Sequence, residues 1–217
     1  MSDDEATSLE PLACCLNGFS KLGHITRGET TVAIIGDGPI GLLHLQISKR
    51  LFGTKTLVIG KIPHRMKRAK VIGADEAINL NDNDDDPAYS NKEALENILE
   101  CTDGAGANVI IIATSNPAAI GFAQKIASKN SRINLFAGIP QESKLSLDTN
   151  WLHYNQITVT GSFSSVPRTL QQAVRLASNG EINLSKIISH RYPLVNIKEA
   201  ILATEEYRGL RVIIDDF

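Results

Sequence analysis

Thr31-Val32-Ala33-Ile34-Ile35-Gly36-Asp37-Gly38-Pro39-Ile40-Gly41-Leu42-Leu43 is the stretch on which the fold turns. Thr31–Ile35 has the length and composition of a strand buried on both faces. Leu42, Leu43, Leu45 and Ile47 supply the core side of a helix directly after it. The turn between them has the spacing G-x-G-x-x-G, in which each glycine has its own steric role. Gly36 permits the tight turn, Gly38 lets backbone approach a diphosphate without a Cβ in the way, and Gly41 lets the helix pack closely on the strand. Pro39 suits the first helical turn, where its missing N–H is not needed. Free amides and the positive end of the helix dipole then face an anion. Glycine spacing alone is a weak signal; the flanking strand and helix give it weight.

Outward from this unit, short apolar runs at 56–59, 76–78, 108–112, 132–136 and 157–160 alternate with candidate helices at 39–51, 64–72, 91–101 and 117–128, followed by another at 167–179. Strands spaced by helices form βαβ units with a parallel sheet covered on both faces. The right-handed crossover rule then leads to a doubly wound α/β sheet of the Rossmann type. Ahead of it, residues 8–23 place Leu12, Cys15, Leu16, Phe19 and Leu22 at helical spacing, and Gly23 can close that helix. Behind it come a strand at 187–193, a helix at 196–207 and a last strand at 210–214. The expected organisation is a leading helix in 1–27, a dinucleotide-binding domain over 28–163, and part of a second domain over 164–217.

Composition narrows the partners. The 217 residues carry a net charge of −2, so no global field recruits nucleic acid or an anionic membrane. No apolar run approaches the ~20 residues of a membrane helix. Met1-Ser2-Asp3-Asp4-Glu5-Ala6 has neither the basic start nor the apolar core of a secretion signal. The three cysteines, Cys14, Cys15 and Cys101, include no Cys-x-x-Cys and read as reduced thiols in a cytoplasm. The expected partner is a small molecule, not nucleic acid or membrane.

An NAD site usually carries Asp or Glu about 20 residues after the glycine loop, where it binds the ribose 2′-OH. Here that strand ends Val58-Ile59-Gly60-Lys61, and no acid occurs between Asp37 and Asp75. The same interval is rich in Lys and Arg. Gly60 removes repulsion toward a 2′-phosphate, and Lys61, His64 or Arg65 could pair with one. The alternative is that these cations decorate the exposed face of the next helix. This reading favours NADP over NAD.

Several segments resemble the zinc-dependent medium-chain dehydrogenase/reductase family, most nearly its sorbitol and threonine dehydrogenase branch. They are Glu10-Pro11-Leu12-Ala13, the loop 36–41, Ile72-Gly73-Ala74-Asp75, Thr102-Asp103-Gly104, Gly161-Ser162-Phe163 and Ile188-Ser189-His190-Arg191-Tyr192-Pro193-Leu194, in family order. Gly60 departs from the branch, whose NAD-using members carry an acid there. The resemblance implies that Gly36, Gly38, Pro39, Ile40 and Gly41 line the diphosphate, and that Gly60, Lys61 and Arg65 surround the adenosine ribose. It also implies that Thr114, Ala137, Gly138 and Ile139 continue the path along the strand ends, and that Ser162 and Phe163 hold the nicotinamide end. Phe163 read by itself is equally a core aromatic. The substrate class implied is an alcohol or polyol, and a homodimer or tetramer is implied through the sheet edge.

The same resemblance places the reaction at a zinc ion in an N-terminal domain whose Cys and Gly-His-Glu ligand motifs this sequence lacks. Glu10 matches a late-arriving acidic ligand; on its own residues it is an acid in a first helical turn. One carboxylate cannot hold a catalytic zinc, which takes about three protein ligands, so zinc is expected only in the complete protein. The leading helix and the tail are then expected to expose apolar surface. Asp82, Asp84, Asp86 and Glu93 imitate a calcium loop, but Pro87 stands where its glycine belongs, so a solvated acidic loop is expected. The rival functions are a dinucleotide-binding module without chemistry and a zinc-free reductase, the latter weakened by the lack of a Tyr-x-x-x-Lys pair.

Overall fold

The computed structural model describes residues 1–80, 89, 91–144 and 146–216; the acidic stretch with Asp82, Asp84 and Asp86 lies outside them. Six parallel strands form the main sheet: β1 (Thr31–Ile35), β2 (Lys55–Gly60), β3 (Glu76–Asn79), β4 (Ala107–Ile112), β5 (Ala127–Leu135) and β6 (Thr158–Gly161). Their spatial order is β3-β2-β1-β4-β5-β6, the expected doubly wound arrangement. The order reverses between β1 and β4, which run in register from Val32↔Val109 to Ile35↔Ile112.

The central strands read as unbroken apolar runs because both faces are covered. Val32, Ile34, Val58, Val109 and Ile111 join one core with α2 (Leu9–Ser20), α3 (Pro39–Ile47), α4 (Pro63–Ile72) and α8 (Pro167–Ser178). Ala33, Ile35, Leu57, Ile59, Ile110 and Ile112 turn to the other face, against α5 (Lys92–Cys101) and α6 (Ala118–Ile126). A short helix α1 (Asp3–Ala6) precedes these, α7 (Thr149–Tyr154) precedes β6, and the tail holds β7 (Ile188–Pro193), α9 (Ile197–Glu205) and β8 (Arg211–Asp216). β7 and β8 make a separate parallel pair.

Two expectations change, and one short helix is added. The leading helix does not expose its apolar stripe: Leu12, Cys15, Leu16 and Phe19 are buried against α3 and α8. Exposed apolar side chains instead gather in the tail, with Leu170 and Val174 on α8 and Ile197, Ile201 and Leu202 on α9. The helix expected over 117–128 stops at Ile126, and β5 begins at Ala127. Its first half, Ser128-Lys129-Asn130, is polar and kinked, with Asn130 at φ 60° and a register shift opposite Ala107 to Val109, so no period marks it. Helix α7 went unseen because six residues are too short for periodicity. Its local signal is Asp148, whose side chain accepts from the Asn150 and Trp151 amides at 2.8 and 3.1 Å.

His44 shows how dry the core is. It is fully buried on α3, edge-on to Phe136 at 4.5 Å and beside Phe19 at 5.5 Å. Neither ring nitrogen has a hydrogen-bond partner among the described residues. Burial pushes its imidazole down to about 3. Below the ordinary histidine value the unfolded chain takes a proton that the folded chain refuses, so stability falls as pH drops from about 6.5 toward 3. Urea unfolding at pH 7 and pH 5 should therefore show wild type losing about 2 kcal/mol more than His44→Leu over that interval. Equal losses in the two chains would remove His44 as the source.

Candidate functional site

The glycine loop leaves β1 at the point where strand order reverses, which is where open α/β sheets bind ligands. Gly36 sits at φ 131°, and a Cβ on it would lie 2.7 Å from the Ala113 carbonyl oxygen. A Cβ on Gly41 would lie 1.9 Å from the Gly36 carbonyl oxygen, so α3 approaches its own loop too closely for any side chain. Gly38 differs. It is the N-cap of α3, with Pro39 next at the first helical position, and its φ of −73° suits any residue. A Cβ there would meet nothing nearer than Arg65 Nη1 at 4.0 Å. Folding thus fixes glycine at 36 and 41 and leaves Gly38 bordering open space.

Beside the loop a cleft of about 870 Å³ runs along the carboxyl ends of β1 and β2 and past that of β4. Of the residues expected at the site, Gly36, Gly60, Lys61, Arg65 and Thr114 line it. Asp37, Asn79, Tyr89, Asn116 and Tyr207 also line it, and sequence reasoning named none of these as ligand-facing. Asn79, the last residue of β3, and Asn116, beyond the end of β4, were findable as polar residues at strand ends. Tyr207 was not, because it arrives from the tail.

Asp37 organises this corner. Its Oδ2 accepts the Lys61 and Ile62 amides at 2.8 and 2.7 Å, at the start of α4. Its Oδ1 faces Arg65 Nη1 at 3.9 Å, with both side chains almost buried. Arg65 is no outward-pointing cation. Its Nε donates to the Gly209 carbonyl oxygen at 2.8 Å and its Nη2 to the same oxygen at 2.5 Å, and its guanidinium lies 5.1 Å over the Tyr207 ring. Burial pulls Arg65 below its ordinary value, opposed by the charges of Asp37 and Tyr207. The arginine expected to reach a 2′-phosphate instead ties α4 to the tail. Lys61 Nζ lies 5.9 Å from the Tyr89 ring centroid.

The remaining expected residues stand outside the cleft's lining. Pro39, Ile40 and Gly41 form the first turn of α3. Ala137 follows β5, its amide donating to the Ile112 carbonyl at 3.0 Å; Gly138 is exposed and Ile139 packs against the α5/α6 core. Ser162 Oγ and Asn134 Oδ1 are hydrogen-bonded at 3.0 Å. Phe163 is 95% exposed, so the core-aromatic reading fails; Asn17 Nδ2 holds the neighbouring Ser164 carbonyl at 3.0 Å.

Glu10 is exposed on α2, and its carboxylate accepts from Cys14 Sγ at 2.9 Å. Burial and the Glu10 carboxylate push the Cys14 thiol up to about 11, so it remains protonated at neutral pH. Among the described residues no group of three or more His, Cys, Asp or Glu is placed to hold a metal ion. Glu10 and Cys14 do not make a zinc site by themselves. No helix among the described residues is long and apolar enough to cross a membrane.

A doubly wound sheet with a glycine loop at its switch point, opening on a polar cleft, defines a nucleotide-fold protein. The profile of the family described as zinc-binding dehydrogenase matches residues 39–179, and the chain belongs to that family. It is 30% identical over 218 residues to the D-arabitol-phosphate dehydrogenase of Enterococcus avium, covering 99% of this chain and 58% of that protein. It is 28% identical to the sorbitol dehydrogenase of Bombyx mori, covering 97% and 58%. Among solved structures it resembles an Escherichia coli CFT073 alcohol dehydrogenase complexed with NADH, with a TM-score of 0.82, 26% identity and coverage of 97% and 59%. A Sinorhizobium meliloti 1021 protein described as a zinc-binding dehydrogenase and bound to NADP gives 0.84, 25%, 97% and 59%. The chain thus spans under two thirds of the length of these relatives.

Gly38 and Gly41 should behave unequally in thermal or urea unfolding. Gly41→Ala is expected to cost about 2 kcal/mol or more through backbone displacement, and Gly38→Ala within about 1 kcal/mol as a weaker N-cap. Similar losses at both positions would contradict this reading of the loop.

Proposed function

We propose that this chain is the cofactor-binding portion of an oxidoreductase that moves hydride between a nicotinamide dinucleotide and an alcohol or polyol carbon. The contrast between Gly38 and Gly41 supports it most directly. One glycine is required by the fold, whereas the other keeps side chains away from a helix N-terminus that opens on solvent. In this reading Gly36, Gly38, Pro39, Ile40 and Gly41 hold the diphosphate through backbone contacts. Gly60, Lys61 and Arg65 surround the adenosine ribose. Thr114, Ala137, Gly138 and Ile139 flank the path along the sheet, and Ser162 and Phe163 meet the nicotinamide end. The dinucleotide, when bound, supplies a two-electron hydride acceptor or donor. The chain's own part is to bind it, orient it and neutralise its phosphates. The names of the relatives, sorbitol and D-arabitol-phosphate dehydrogenase, suggest the substrate class.

Zinc has no set of three or more ligands among the described residues. Pairing of two copies along β6, one of the two edge strands of the sheet, and residence in a cytoplasm belong to the same proposal.

Titration of the chain with NADH and NADPH, followed by nicotinamide fluorescence, should give saturable binding of at least one of them. Gly38→Val should weaken it roughly tenfold or more by blocking the diphosphate, a loss of about 1.4 kcal/mol. Unchanged affinity in that variant, or no binding to either dinucleotide, would overturn the reading. Alcohol oxidation by the chain with zinc added would show that it carries chemistry beyond cofactor binding.

A further inference from the structure

A fold of this kind normally ends its second strand on an acid, about 20 residues after the glycine loop, that accepts the ribose 2′-hydroxyl. Here β2 ends on Gly60. The space above that glycine is nonetheless filled. A Cβ built on Gly60 would lie 2.5 Å from Asp37 Oδ2 and 2.6 Å from Asp37 Cγ. A side chain at 60 and the Asp37 carboxylate therefore compete for one place. We propose that Asp37, reaching across from the glycine loop, supplies the carboxylate that β2 lacks, and so selects a dinucleotide with a free 2′-hydroxyl over one carrying a 2′-phosphate. This rests on the dinucleotide reading above and reverses the cofactor preference expected from the missing acid.

Three features of the corner carry the inference. The carboxylate is held in place, because Oδ2 takes the Lys61 and Ile62 amides at 2.8 and 2.7 Å. Oδ1 makes no hydrogen bond with any described residue and belongs to a side chain that lines the cleft. It is an acceptor with a lone pair for a hydroxyl, and its charge, partly offset by Arg65 Nη1 at 3.9 Å, repels an ionised phosphate. The two amides are also those that a phosphate would use where α4 begins. Asp37 already occupies them, so a 2′-phosphate would have to displace one anion to bind as another. Arg65 does not restore the balance: its Nε and Nη2 serve Gly209, and its Nη1 lies 3.9 Å from Asp37. Lys61 lies on the same cleft and acts in the opposite sense, favouring a 2′-phosphate.

The test compares NADH and NADPH dissociation constants at fixed salt. Wild type should bind NADH at least about tenfold more tightly than NADPH, the size expected of a charged hydrogen bond exchanged for a repulsion. Asp37→Asn keeps an oxygen for the two amides but loses the charge, and should shift the NADH-to-NADPH ratio by roughly tenfold or more toward NADPH. Asp37→Gly combined with Gly60→Asp returns the acid to β2 and should restore the preference for NADH. Equal or tighter NADPH binding by wild type would give the decision to Lys61 and overturn the proposal, without needing any variant to fold. An unchanged ratio in Asp37→Asn would overturn it too, and would leave Asp37 as a loop brace. Failure of wild type to bind either dinucleotide would remove the dinucleotide reading and this proposal with it. Binding of both with equal strength would sink this proposal alone.

Discussion

The structure depends on one close approach of backbone to backbone. Where β1 turns into α3, the first turn of the helix lies so near the Gly36 carbonyl that position 41 admits no side chain. That proximity places the start of α3 at the reversal of strand order, where the first helical amides have no intrahelical partner. The apolar runs on both sides of the sheet supply the energy that holds the turn in place, since β1, β2 and β4 are buried on both faces. A chain able to form the same strands but carrying alanine at 41 would have to move the helix, and with it the cleft.

Much of this was legible because it is local. The strand, the glycines and Pro39 are contiguous, and the sheet order follows from alternation and the handedness of crossovers. The leading helix was found from the spacing of Leu12, Cys15, Leu16 and Phe19, but its burial was not. The partner that covers it, α8, lies far along the chain. The polar first half of β5 carries no period, and α7 is marked only by its Asp148 cap.

The site was less legible than the fold, for a physical reason. In sequence, Gly60 marks the absence of an acid, whereas in three dimensions the Asp37 carboxylate from the glycine loop fills the space above it. A search confined to the interval after the loop could not see it. Arg65 is expected from sequence to reach a 2′-phosphate, yet its guanidinium partner Gly209 lies 144 residues away. Arg65 does line the cleft, but its guanidinium is held by the Gly209 carbonyl and does not point outward.

The relatives are longer than this chain, and the proposed division of labour puts cofactor binding in the part described here, where Phe163 is 95% exposed. Whether the helix amides grasp a diphosphate is the claim on which this division rests. Amide proton–nitrogen spectra of the isotopically labelled chain, recorded during titration with NADH, address it residue by residue. The account predicts saturable shifts at Gly38, Ile40 and Gly41 with the same midpoint as those at Lys61 and Ile62. Saturation with those amides unmoved would contradict it.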